Sequence, residues 1–373
     1  MAPAITLRSL SPHGILVLFT HLLILFLSNT VAESISNGSE VDLQALLSFK
    51  SSISSDPRGV LSSWSTSTSF CSWSGVTCGI TLPTRVVSLN LNSRQLSGQL
   101  SPWIANLTSL ERLDLSENLF SGGIPEELGT LQQLQFMILS MNNLVGTIPR
   151  SLGTSRSLKS VDLSLNQLVG PILDFHKMSA LQFLDLSSNN LSGSIPSSLG
   201  NVSSLTYIRL DTNMLSGSIP STIGNLSRLN KLYLHNNELT GNIPATLGNC
   251  NQLYMLEVSF NSLKGPIPSE LFSGTTLISL DLSNNYLTGS IPLQIGGLIQ
   301  LLRLDISFNK LSGQVPLSFG ECVELSSLRL RSNMLNGNIP RSFNNLKSIE
   351  RIDLSQNSLV GKIPEFFANM DYL

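Results

Sequence analysis

Charge is scarce in this chain of 373 residues. Asp, Glu, Lys and Arg together make up 12% of it, about half of the ~25% usual for a soluble globular domain. The net charge of −2 leaves no basic footprint for nucleic acid or for an anionic membrane surface. Histidine occurs four times, and beyond residue 32 only as His176 and His235, well apart in sequence. H-E-x-x-H, G-x-S-x-G, P-loop and paired-cysteine metal motifs are absent, so neither a resident cofactor nor intrinsic catalysis is expected. After residue 32 no apolar run approaches the ~20 residues needed to span a bilayer. Glycine (27) and proline (17) are near average, which excludes collagen and low-complexity disorder. What the chain has in excess is leucine, at 70 residues. Length alone would suggest two or three domains, but a leucine excess calls first for a search for repeats.

The first 32 residues read as a secretory leader. Arg8 is their only charge, an apolar run follows from Ile15 to Leu27, and Thr30-Val31-Ala32 places small residues at a cleavage site. The mature chain is then expected to begin near Glu33 in an oxidising compartment. There Cys71 and Cys78, close together in CSWSGVTC, are expected to form a disulfide.

From about Val86 onward one phrase recurs, L-x-L-x-x-N-x-L-x-G. Its asparagine falls at Asn118, Asn142, Asn166, Asn189, Asn213, Asn237, Asn261, Asn285, Asn309, Asn333 and Asn357, in steps of 24 residues with a single step of 23. Arg94 holds the same slot one step earlier, giving twelve repeats. The L-x-L alternation is that of a strand with one buried face. No repeat can bury its leucines alone, so the repeats must stack into one core behind a parallel inner sheet. Each Asn follows the strand where the chain turns inward, and its amide can both donate to and accept from unpaired backbone groups. A hydrogen-bonded ladder is the expected result. The following G-x-I-P and leucine-bearing stretch suit a tight outer turn rather than a long helix, because proline fixes φ and removes a donor. Residues 170–180 (GPILDFHKMSA) break the pattern, and a local irregularity is expected there. Cys250 and Cys322 sit three repeats apart. At about 4.8 Å per strand they are some 14 Å apart, too far for a disulfide, so both are expected to be free and buried.

The 24-residue pattern LxxLxLxxNxLxGxIPxxLGxLxx resembles the plant extracellular leucine-rich-repeat class. The resemblance extends to the segment before the repeats. Ser39-x-x-Asp42 reads as a helix start, Leu43, Leu46 and Leu47 share a helical face, and Phe49-Lys50, Trp64 and Cys71-x-Trp73-x-Gly75-Val76-x-Cys78 follow. This segment is similar to the N-terminal cap of plant leucine-rich-repeat receptor kinases and receptor-like proteins. The resemblance implies an α/β repeat solenoid: a right-handed leucine-rich-repeat superhelix with a parallel inner sheet and a small helical, disulfide-bonded N-terminal cap. It implies a leader over residues 1–32, a cap over 33–84 and twelve repeats over 85–373. In function it implies an extracellular sensor at the cell surface that binds a peptide, hormone or microbial pattern with a leucine-rich-repeat co-receptor. A membrane span and, usually, a Ser/Thr kinase would follow. Leu373 falls at the first leucine of what would be a thirteenth repeat, so the chain reads as an ectodomain fragment of a longer receptor. A secreted inhibitor of cell-wall-degrading enzymes is the alternative reading. It would close with a C-terminal cysteine cap, which the sequence does not contain.

Recognition residues are sought where the repeats depart from their own background. The consensus inner strands carry Asp and then Ser, as in Asp162 with Ser164, Asp185 with Ser187, Asp281 with Ser283 and Asp353 with Ser355. Three adjacent repeats depart together, with Tyr207, Arg209 and Asp211, then Lys231, Tyr233 and His235, then Met255 and Glu257. Alternation puts these on one face, where Tyr and Arg are typical interface anchors. Arg329 and Arg331 share one strand and could fork a carboxylate. Their spacing resembles the Arg-x-Arg pair with which some plant peptide receptors hold a terminal carboxylate. Phe136 and Ile138 form a smaller apolar departure. Glycosylation sequons stand at Asn37, Asn106, Asn190, Asn201 and Asn225. Asn106, Asn201 and Asn225 share one outer column.

Overall fold

The computed structural model describes residues 38–370 and Tyr372. The leader and the Asn37 sequon lie outside them. The chain builds a solenoid whose core runs unbroken from the first helix to the last described repeat.

The first element is a helix over 38–51. Ala45, Leu46 and Phe49, on one of its faces, are buried, and Phe49 meets Trp64 at 6.0 Å and Phe120 at 6.1 Å between ring centroids. Trp64 stacks on Trp73 at 5.3 Å, and its indole N–H donates to the Ser74 carbonyl. The Cys71–Cys78 disulfide is present, with Cα atoms 5.5 Å apart. Strand Val76–Cys78 pairs antiparallel with Val86–Asn90, so the cap closes the first repeat through backbone hydrogen bonds. The sequence reading of Ser39-x-x-Asp42 as a helix start needs correction. The helix already includes residue 38, and Asp42 lies within it, fully buried. Its carboxylate accepts from Arg85 Nε and Nη2 and from the Val86 backbone N–H. Asp42 thus ties the cap to the first repeat rather than capping its own helix.

Behind the cap, twelve parallel strands from Val86–Asn90 to Arg351–Asp353 form the inner sheet. They hold strict register, as in Leu184↔Ile208↔Leu232↔Leu256. Those apolar residues face the core and are buried.

A second row of parallel strands runs alongside in three separate sheets, the first built from Ser97–Gln99, Leu119–Gly122, Asn143–Thr147 and their successors to Glu238–Thr240, the second of Lys264–Pro266 with Tyr286–Thr288 and the third from Ser312–Gln314 to Ser358–Leu359. The sequence reading treated these N-x-L-x-G stretches as turns. They are strands because the alternation continues through them, with Leu144 and Leu168 buried between exposed neighbours. The glycine that follows each leucine has positive φ, for example 75° at Gly217, which it adopts without steric cost.

The outer side is mostly a row of single 3₁₀ turns such as Ser197–Asn201 and Ser221–Asn225, introduced by a proline with no N–H to waste, with an α-helical turn at Glu270–Ser273 behind Ser269. Residues 172–182 lack this turn. Phe175 and Met178 fill the core there instead, while the inner register is kept. The glycine in these turns marks a close approach of neighbouring repeats. A Cβ on Gly224 would lie 2.2 Å from the Thr246 carbonyl oxygen. Its φ is not in the left-handed region, so alanine is conformationally allowed and the collision stands alone. Gly224→Ala is expected to cost about 2 kcal/mol by overpacking. Urea denaturation measures this, and an unchanged midpoint would contradict it.

Each ladder asparagine makes the bonds its amide allows. Asn166 Nδ2 donates to the carbonyls of Leu139, Leu163 and Ser164, and its Oδ1 accepts from Leu144 N–H. The residue before each Asn is left-handed without being glycine, as at Leu165 (φ 54°) and Phe260 (φ 52°). The ladder compensates a conformation that costs ~1–2 kcal/mol per non-glycine residue. Cys250 and Cys322 are free and buried. Their thiols donate to the Ile223 and Ile295 carbonyls, and burial pushes both up to about 11. Among the described residues no helix is long and apolar enough to cross a membrane.

Candidate recognition surface on the inner sheet

The exposed positions of the inner strands form columns along the solenoid. In the background repeats the polar groups satisfy one another locally. Asp162 Oδ1 accepts from the backbone N–H and hydroxyl of Ser164, and Asp185 and Asp353 repeat the clasp with Ser187 and Ser355. Side chains spent in this way have little left for a ligand.

Across three neighbouring strands, Tyr207–Arg209, Lys231–Tyr233 and Met255–Glu257, the clasp is replaced by aromatic and charged groups in register. Tyr207 lies beside Lys231 and Lys231 beside Met255, while Arg209 lies beside Tyr233 and Tyr233 beside Glu257. Tyr207 and Tyr233 are 5.8 Å apart by ring centroid. The Arg209 guanidinium sits 5.6 Å over the Tyr233 ring, and its Nε donates to Asp211 at 2.8 Å. That hydrogen bond, opposed in part by burial, raises Arg209 above its ordinary value. His235 lies between two carboxylates, with Nε2 3.4 Å from Asp211 and Nδ1 3.5 Å from Glu257. Burial pushes the Tyr233 phenol up to about 12, with help from Tyr207 and Glu257, so it stays neutral, and its hydroxyl donates to Met255 Sδ at 2.6 Å. Burial likewise raises Glu257.

Asp211 requires a correction. The sequence reading placed it among ligand contacts, but it is 2% exposed. It occupies the slot that serine fills in most repeats, beside the ladder, and there it orients Arg209 and His235 from below. Two members of the patch were missed. Phe183 stacks on Tyr207 at 4.4 Å and 10°, and Tyr254 flanks Lys231 at 5.6 Å. Phe183 stands at the first exposed position of its strand, beside Ser160 on the preceding one, so the same column comparison could have found it. Tyr254 precedes its strand, where alternation gives no face.

The other candidates stand apart. Arg329 Nη1 lies 3.4 Å from Asp305 on the preceding strand. Arg331 Nε donates to Gln356 at 3.4 Å, and its guanidinium lies over the Phe308 ring. Each guanidinium therefore rests on a different neighbour. Asp305 balances Arg329. Phe136 and Ile138 are half-buried, with Arg112 over the Phe136 ring at 5.5 Å. The Ser160–Asp162 strand separates them from Phe183. The sequons Asn106, Asn201 and Asn225 end outer 3₁₀ turns. Asn201 and Asn225 are exposed and Asn106 half-buried, while Asn190 opens a strand of the second sheet and is exposed.

A stacked solenoid with an asparagine ladder, and with its variable chemistry on the inner sheet, defines a binding scaffold built from leucine-rich repeats, not a catalytic domain. The family model "Leucine rich repeat N-terminal domain" matches residues 39–79. "Leucine Rich Repeat" matches eight segments, at 109–131, 180–202, 204–226, 228–250, 276–298, 300–322, 324–346 and 348–370. The chain belongs to the leucine-rich-repeat family, in the form found in the ectodomains of plant receptor kinases. It is 51% identical over 76 residues to the receptor-like serine/threonine-protein kinase EFR of Arabidopsis thaliana, a stretch that is 20% of this chain and 7% of that protein. Its fold is similar to that of PEPR1 in the PEPR1–AtPEP1 crystal structure (35% identity, TM-score 0.79, 89% of this chain and 50% of that one). It is also similar to the ectodomain of the Arabidopsis receptor kinase HAESA in complex with an IDA peptide hormone ligand (37%, TM-score 0.75, 87% and 54%). The chain thus spans about half of these solved ectodomains.

Proposed function

We propose that this chain recognises an extracellular peptide or protein ligand on its inner sheet, as part of a plant receptor kinase ectodomain that signals with a leucine-rich-repeat co-receptor at the cell surface. In this reading residues 1–32 export the chain, 33–84 cap it and 85–373 present the binding surface. The observation that carries the reading is the replacement of the self-satisfied Asp–Ser clasp by an aromatic and charged network on three adjacent strands. The peptide complexes among similar structures support the same class of ligand. Tyr207, Arg209, Lys231, Tyr233, His235 and Glu257 form the contact surface, with Asp211 beneath them. Arg329 and Arg331 offer a carboxylate site farther along the groove, reached when a ligand displaces Arg329 from Asp305. Glycans on the outer turns at Asn106, Asn201 and Asn225, and at Asn190 on the second sheet, leave the inner sheet open.

The test uses ligands selected against the full chain from a synthetic peptide pool. Tyr233→Ala and Arg209→Ala are each expected to weaken binding tenfold or more, as buried aromatic and Arg anchors do, while the circular-dichroism melt stays in place. Unchanged affinity in both variants would remove the patch from the reading.

A further inference from the structure

At the centre of the patch Arg209 and His235 face carboxylates and Lys231 does not. Arg209 is paired with Asp211, and His235 lies between Asp211 and Glu257. Lys231 is different. Its ammonium lies 6.0 Å from the Tyr207 ring centre and 5.6 Å from that of Tyr254. Among the described residues no carboxylate comes within 4.0 Å of it. The residue is half-buried and carries its stem between rings on the open face of the sheet. An ammonium bordered by rings has lost part of its hydration, and in such surroundings a carboxylate is bound more strongly than in open water.

The surroundings also set a limit on the ligand. On one side of Lys231 lie Tyr207 and Phe183, and on the other lies Met255, all apolar in body. One column over and farther along the solenoid, Glu257, Asp281 and Asp305 stand side by side in register. His235 faces Glu257 and Arg329 faces Asp305, so Asp281 is the member of that row that repels an acidic residue laid against it. A single acidic residue at Lys231, between apolar ones, does not meet it.

We infer that the ligand presents one acidic side chain, flanked by aromatic or aliphatic residues, to the Lys231 ammonium between Tyr207 and Tyr254. This rests on the proposed function and adds the charge class of the residue that docks at its centre.

The experiment screens three matched libraries of immobilised, end-capped pentapeptides against the full chain, with Asp, Asn or Lys fixed at the centre and the other positions varied. The Asp library is expected to yield the strongest binders, with apolar neighbours enriched. In a selected peptide, Asp→Asn and Lys231→Met are each expected to lower affinity about tenfold, and together no further than either alone. Lys231→Glu is expected to shift preference to the Lys library. Lys231→Met keeps the aliphatic stem, so the fold is retained, and its melt checks this. Peptides that depend on Tyr233 and Arg209 but show no preference for Asp and no loss in Lys231→Met would overturn this inference and leave the proposed function standing. An absence of any peptide dependent on Tyr233 would overturn both.

Discussion

Replacing Asn261 with alanine is expected to destabilise the chain by about 2–4 kcal/mol and to split its unfolding into two steps. Asn261 is buried near the middle of the ladder. Its Nδ2 donates to Leu234, Val258 and Ser259 carbonyls at 2.9, 3.2 and 3.1 Å, and its Oδ1 accepts from Leu239 N–H at 2.9 Å. Alanine leaves the Leu239 donor buried without its partner, at ~1–3 kcal/mol, while the Leu234 carbonyl keeps only the longer bond from Asn237 Nδ2 at 3.2 Å. The left-handed residue Phe260 also loses the bonds beside it that hold its conformation. That is a large share of the 5–15 kcal/mol typical of a folded domain. In a solenoid each repeat is held only by its neighbours, so a weak central rung uncouples the two halves. Hydrogen exchange is the measurement, with early loss of protection expected around residues 230–290. The same change at Asn357, which is half-buried, is expected to cost less, because water can reach the orphaned groups. Equal effects at both positions would contradict the burial argument.

The second large effect is expected at Asp42. Asp42→Ala removes a fully buried carboxylate that accepts at 2.7–2.9 Å from Arg85 twice and from the Val86 backbone once. Breaking one side of a buried ion pair costs ~3–5 kcal/mol, because the other charge stays behind. The guanidinium left here is only 20% exposed. The cap is expected to detach first, taking the Trp64–Trp73 stack with it. Tryptophan emission should then shift to the red at denaturant concentrations that leave the far-ultraviolet signal of the repeats intact. Asp42→Asn is expected to fall between alanine and the native residue. A single coincident transition in Asp42→Ala would show that the cap is held by its apolar contacts alone.

Much of the candidate surface could be read along the chain. The inner strands announce which residues share a face, because alternation is a property of one strand. Tyr207, Arg209, Lys231 and Tyr233 followed from that rule and from comparison with the Asp–Ser background. The same rule could not give depth. Asp211 and His235 occupy the same column, yet Asp211 is 2% exposed and the His235 side chain 21%. The difference arises from Arg209 and His235 closing over the Asp211 carboxylate. The second sheet escaped for another reason. Its glycine and the nearby proline carry turn signals, and these outweighed an alternation of only a few residues. Asp42 escaped because its partner is 43 residues away, while a local capping pattern offered a nearer explanation.

By itself the sequence determined that a rung recurs every 24 residues, that leucines fill the core behind a parallel sheet, and that Cys250 and Cys322 lie too far apart to bond. All of these depend on spacing along the chain, and a stacked repeat converts spacing directly into distance. Only the tertiary structure decided which side chains face a carboxylate. Arg209 pairs with Asp211, His235 lies within 3.5 Å of Asp211 and Glu257, Arg329 lies 3.4 Å from Asp305, and among the described residues Lys231 meets none of these carboxylates. Most of those pairings join side chains on neighbouring strands some twenty or more residues apart. Whether two such groups meet depends on register, on rotamers and on which side chain covers the other, and the 24-residue period specifies none of these.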